Sequence, residues 1–223
     1  QHRVFVSSRK TALLTGPCQR QRRPQRQNNV KVRNLMFLSR LFKEPKRKAD
    51  ARNLYEALVI QARTPAFYAD HSVPDTVDGR FDMIILHVWI VLSHFKTVPA
   101  DLQARREKLG QALFDHMIQD FDRNVRQIGI SDVRVGKHMK AMAKAFYGRL
   151  AAYDEAVSTG SLANALKRNV FGKVDLVDEV LDIQSQYLEE YVQKQAVFLA
   201  TQDFEALLDG KIAFQAEFSA ESR

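Results

Sequence analysis

"VRVGKHMKAMAKAFYGRLAAYDEAV", residues 133–157, decides the fold class. Val135, Met139, Met142, Phe146, Leu150, Tyr153 and Val157 recur along it at steps of 4, 3, 4, 4, 3 and 4 residues. That is the repeat of one apolar face on an α-helix, and a strand would alternate with period 2. A glycine-bearing break, "STG" at 158–160, ends the run.

The same period continues in both directions. C-terminally, Ser161 is placed to cap a short helix through Val170. Asp175 is placed to cap a long one through about Ala200, with Leu176, Val180, Ile183, Tyr187, Tyr191 and Phe198 as its apolar residues. "DFEALLDGKIAF", from residue 203, adds a final helix closed by Gly210. N-terminally, Pro99 and Asp101 open a helix to about Gln127, with Leu102, Leu109, Leu113, Met117, Phe121 and Ile128 inward. Gly129 closes it.

Before that lies "RFDMIILHVWIVLSHFK", residues 80–96, apolar on every side and therefore predicted to be a helix buried at the centre of a bundle. Its apolar run, Met83–Leu92, is half the length a bilayer crossing needs. Residues 49–63 place Leu54, Leu58 and Ala62 on one face. Pro65 ends that helix, and a connector follows with one short turn around Phe67 and Tyr68. No alternating runs and no internal repeat occur. The expectation is an all-α, single-domain helical bundle of about six to eight helices.

Length and composition agree with that class. The 223 residues are 45% hydrophobic and 27% charged, with nine glycines, six prolines and one cysteine, Cys18. A lone cysteine excludes an internal disulfide framework and a cysteine-built zinc site. The net charge of +8 is unevenly divided. Residues 1–43 hold eleven Lys or Arg and no acid, which leaves 23 basic against 26 acidic residues beyond them. High pI is therefore no argument for a nucleic-acid-binding domain.

Four segments follow: residues 1–35 as a disordered basic segment, 36–47 as a short amphipathic basic segment, 48–212 as the helical domain, and 213–223 as a tail. Three readings stand for the first: a transit peptide, a basic arm, or upstream sequence foreign to the native protein. The last is favoured because Met36 opens "MFLSRLFK" as a natural start.

Catalytic and metal motifs are missing. His87 and His94 sit seven residues apart, two turns or about 10.5 Å along a helix, too far to share one metal ion. A buried histidine satisfied by a backbone carbonyl is the better account of either. Asp115, His116, Asp120 and Asp122 read as a mixed-charge helix surface, with His116 and Asp120 spaced to pair. No catalytic residue, metal or cofactor is expected. Charge patterning supplies the one candidate site: Arg126, Arg134, Lys137, Lys140, Lys144 and Arg149 form a basic docking surface for RNA phosphate, anionic lipid or an acidic protein, unless it is a plain solvated face.

Several phrases carry a resemblance. "YEALVIQARTPAFYADHSVPDTVDGRFDMIILHVWIVL" and "RNVRQIGISDVRVGKHMKAMAKAFYGRLAAYDEAV" resemble the ubiquinol–cytochrome c chaperone family over roughly residues 50–172. The most specific pieces are Asp78, Gly79, Arg80 and Asp82 of "VDGRFD", then Arg126, Gly129 and Asp132, and finally Phe146, Tyr147, Gly148 and Arg149 with Tyr153. The resemblance implies a non-enzymatic, all-helical assembly chaperone of the cytochrome bc1 complex. Its implied partners are newly made, haem-poor cytochrome b and bc1 assembly intermediates, with the ribosome, a membrane surface and a small partner chaperone as further ones. The chain resembles the short alphaproteobacterial members, which implies a place in the bacterial cytoplasm, peripheral at the inner membrane, or alternatively the mitochondrial matrix.

Overall fold

The computed structural model describes the backbone of residues 29–127, 129 and 131–215, with side chains from residue 45 onward. Residues 41–223 group as one compact unit and residues 1–40 as another. The segment 1–28, Ile128 and the end of the expected tail, 216–223, lie outside the described residues, as do the side chains of Met36–Lys43 on which the amphipathic reading rests.

Among the described residues are eight α-helices and no strand: α1 Asn29–Ala62, α2 Pro65–Ala69, α3 Val77–Phe95, α4 Gln103–Gln127, α5 Asp132–Thr159, α6 Leu162–Val170, α7 Asp178–Ala200 and α8 Phe204–Leu208. A single 3-10 turn, Ala100–Leu102, leads into α4. The bundle is all-α, as expected.

Helix α3 is the hub. Thr76 caps it, its hydroxyl accepting from the Gly79 N–H at 3.1 Å, and Asp78 in the first turn suits the positive end of the helix dipole. Gly79 has no substitute there, because a Cβ would lie 2.1 Å from the Pro74 carbonyl oxygen. Met83, Ile84, Ile85, Leu86, Val88, Trp89, Ile90 and Val91 are all buried, covered by α5, α6 and α7. From α4, Leu109, Leu113, Met117, Phe121 and Val125 are buried at fourfold spacing. From α5 come Val135, Phe146, Tyr153 and Ala156, with Met139, Met142 and Leu150 half-buried beside them.

Five expectations change. Helix α1 starts at Asn29 and runs through Pro45, so the boundaries drawn at 35/36 and 47/48 fall inside one helix, although an interior proline removes one helical N–H and crowds the preceding turn. Helix α7 starts at Asp178, not at Asp175, with Lys167 of α6 held by Asp178 and Asp182 at 3.1 and 2.7 Å. Ser161 stands at the α6 cap, but its hydroxyl meets Thr159 and makes no capping bond. Leu176 and Ile183 are exposed rather than packed inward. The domain also extends past residue 212. Gln202 clamps the backbone of Ala213, and Gln195 that of Gln215, through paired amide bonds of 2.8–3.1 Å, and Phe214 packs on His87. Gly210 makes the preceding turn at φ +74°.

Candidate functional site

The two most specific phrases of the sequence meet in space. Asp82 of α3 and Arg149 of α5 form an ion pair, Nη2 to Oδ1 at 2.6 Å, in which the carboxylate is almost fully buried. Beside it, Arg149 Nε and the buried Tyr153 hydroxyl have no hydrogen-bond partner. Burial pushes the Asp82 carboxyl up to about 7, against the pull of the Arg149 guanidinium. Arg149 also lies over the Phe81 ring, 5.6 Å from its centroid. Above this pair, Lys173 reaches Asp78 at 2.5 Å, and Arg80 reaches Asp75 at 2.6 Å. The Asp82–Arg149 pair thus joins the start of α3 to α5, and Asp78–Lys173 joins it to the α6–α7 loop, while Arg80 stays with Asp75 just before the helix. Arg126 holds Asp122 and Asp132, closing the turn in which Gly129 adopts φ +84°.

His87 is a closed account. It is fully buried; Nδ1 donates to the Met83 carbonyl at 2.8 Å and Nε2 accepts from the Tyr191 hydroxyl at 2.6 Å. Gln61 in turn donates to Tyr191 at 3.1 Å. Burial lowers the imidazole to about 4, so it is neutral at ordinary pH. His116 does not pair with Asp120: its ring meets Tyr55 edge-on at 5.3 Å, while Asp120 accepts from the Tyr55 hydroxyl at 3.0 Å. Among the described residues, no three His, Cys, Asp or Glu side chains gather as metal ligands. No helix there is long and apolar enough to cross a membrane.

A cleft of about 1030 Å³ opens between α3, the end of α5, the start of α6 and α7. Trp89, Ile90, Val157, Leu162, Val192 and Phe204 supply most of its apolar wall. Val157 belongs to the apolar stripe of α5 yet is 56% exposed, because the stripe's last member reaches the open cleft. Two polar atoms here, Ser93 Oγ and His94 Nε2, are buried without partners. The His94 ring stacks on Phe204 at 5.2 Å, and burial lowers its pKa. At the rim, Asp154 accepts from Trp89 Nε1 and Lys96 Nζ at 2.9 and 2.7 Å. Burial pushes the Asp154 carboxyl up, but those two bonds outweigh it and hold it below the usual range. Pattern reading missed Asp154, Ser93 and the cleft itself, since no local signal marks a gap between helices.

The basic surface divides. Arg134, Lys137, Lys140 and Lys144 are exposed along α5, and no ion pair forms at any of them among the described residues. Arg126 is tied to its two carboxylates, and Arg149 turns inward to Asp82. Tyr147 is exposed on the same side as the lysines, leaning on Phe114 and Phe146. Gly148 faces open space.

This is a helical bundle in which the Asp82–Arg149 pair joins α3 to α5, with a cleft and a cationic stripe on its surface. Residues 69–214 match the ubiquinol-cytochrome C chaperone family, and the chain belongs to it. It is 31% identical over 164 residues to ubiquinol-cytochrome-c reductase complex assembly factor 1 of Xenopus laevis, covering 72% of this chain and 78% of that protein. To mitochondrial protein CBP3 of Saccharomyces cerevisiae it is 26% identical over 164 residues, covering 72% of this chain but 47% of the yeast protein. The chain thus spans about half the length of that relative. The crystal structure of the Cbp3 homolog from Brucella abortus superposes with a TM-score of 0.65 at 33% identity, covering 81% of this chain and 96% of that one.

Proposed function

We propose that this protein is a non-catalytic assembly chaperone that binds newly made cytochrome b and promotes its entry into the ubiquinol–cytochrome c reductase complex. The observation that carries this reading is the family match across α3–α8, together with relatives named as assembly factors of that complex. The geometry is compatible with the task. An apolar cleft suits a segment of a membrane-protein client, and the partnerless Ser93 and His94 atoms suit a polar group on that segment. Haem, on this reading, belongs to the client, since His87 is consumed by its own hydrogen bonds. The work takes place peripherally at an inner membrane, on the cytoplasmic side in a bacterium or the matrix side in a mitochondrion.

A photo-crosslinking residue at Val157, on the cleft wall, tests it in cells making cytochrome b. Cytochrome b is expected in the adduct, and deletion of the gene is expected to lower the assembled complex. Adducts lacking cytochrome b, with assembly intact in the deletion, would refute the client. An adduct with ribosomal protein alone would assign the cleft to the ribosome instead.

A further inference from the structure

We propose that the outer face of α5 docks on an anionic phospholipid surface. Lys137, Lys140 and Lys144, spaced three and four apart, share one side of the helix with Arg134 at its edge. Many cations elsewhere on the domain are paired: Lys46, Arg80, Lys96, Arg105, Arg126, Lys167 and Lys173 each hold a carboxylate. These four hold none among the described residues. The next carboxylate on their face, Glu155, lies three turns beyond Lys144. The stripe is therefore an uncompensated positive field, complementary to a negative plane.

Charge alone would suit RNA equally, and the flanking residues decide between them. Val133, at one end, is 93% exposed, and Tyr147, at the other, is 58% exposed. Their separation along the axis is about 21 Å. An aliphatic and an amphipathic aromatic side chain bracketing lysines gain from contact with the headgroup–acyl boundary, while the lysine stems lie along it and keep their ammonium groups in water. A phosphodiester chain offers Val133 nothing. Three of the four cations are Lys, point charges suited to a diffuse anionic surface, whereas bidentate recognition of single phosphates favours Arg. Gly136 and Gly148 have open space where a Cβ would stand, so nothing inside the fold requires them and a planar surface can approach the helix closely there. The inference is independent of which client the cleft takes.

The test uses the full chain with Cys18→Ser and a single new cysteine carrying an environment-sensitive nitrobenzoxadiazole dye. One version is Ala141→Cys, on the exposed side of α5. The other is Gln186→Cys, exposed on α7. Each is titrated with vesicles of phosphatidylglycerol and phosphatidylcholine, and with phosphatidylcholine alone. Because residues 1–43 carry their eleven cations in every variant, the dye at 141 and not bulk sedimentation is the deciding readout. The 141 dye is expected to shift to the blue on anionic vesicles only, with the 186 dye silent, and to revert in about 0.5 M salt. Adding Lys137→Gln, Lys140→Gln and Lys144→Gln is expected to raise the lipid needed for half the signal by about tenfold or more, with the helical circular dichroism unchanged. A silent 141 dye, equal response at both positions, or no effect of the triple variant overturns the proposal. So does a response to single-stranded RNA without one to vesicles, which would assign the stripe to nucleic acid.

Discussion

Replacing His87 by Leu tests the central helix most directly. The imidazole is locked as the neutral tautomer with its proton on Nδ1, because Met83 O can only accept and Tyr191 then donates to Nε2. Leucine fills the space but takes away the His87 end of the Tyr191 hydroxyl bond at a fully buried site, a loss of about 1–3 kcal/mol at neutral pH. Tyr191→Phe in addition removes the hydroxyl that lost its bond to His87 and is expected to recover part of that loss. The pH dependence is sharper still. Folding lowers His87 from about 6.5 to about 4, so the unfolded chain binds the extra proton in between. Stability from this group is complete above pH 6.5 and is lost as pH falls towards 4, by roughly 3 kcal/mol in all. Asp82, raised by burial, works in the opposite sense over an overlapping window, but it is present in both proteins and cancels in their difference. Urea unfolding at several pH values between 4.5 and 7.5 should therefore show parent and His87→Leu converging as the solution becomes acidic. A constant gap across that range would refute the neutral, proton-excluding account of His87. Assembly of cytochrome b should survive the substitution wherever the variant is folded.

Three further outcomes follow from the same geometry. Arg149→Met strands the Asp82 carboxylate and should cost about 3 kcal/mol in chemical unfolding, whereas Asp82→Leu with Arg149→Met together should be close to neutral; equal losses would deny the pair. Gly148→Ala should raise the unfolding midpoint, by about 0.5–1 kcal/mol of stability, since the added methyl meets no atom and a mid-helix glycine is unfavourable; a lowered midpoint would contradict the open space. Gln195→Ala with Gln202→Ala should accelerate amide hydrogen exchange at Ala213 and Gln215, whose N–H groups donate to those two side chains; unchanged exchange would mean the clamp does not hold in solution.

Helix identity was legible because apolar spacing is local. The α5 stripe, the all-round apolarity of α3, the proline after α1 and the glycines at 160 and 210 each mark an element without knowledge of its neighbours. What surrounds a face is not local. Val157 and Ile183 carry the right spacing, yet one borders a cleft and the other faces solvent. Asp82 and Arg149 stand 67 residues apart, and only the packing of α3 on α5 turns two family phrases into one ion pair. The basic stripe was partly misread for a rotational reason: Arg149 follows Lys144 by five residues, about 140° further round the helix, which aims it inward. The strap at 213–215 escaped because glutamine amides hold it, and polar side chains leave no period.

The burial of α3 has a consequence in time. His87 waits for Tyr191, which follows it by 104 residues, and the cover from α5 and α6 also comes later in the chain. At ordinary rates of synthesis that delay is roughly 5–20 s. Throughout it the most apolar helix of the protein stands without its natural cover, so this chaperone passes, during its own birth, through the exposure from which it is proposed to shield another.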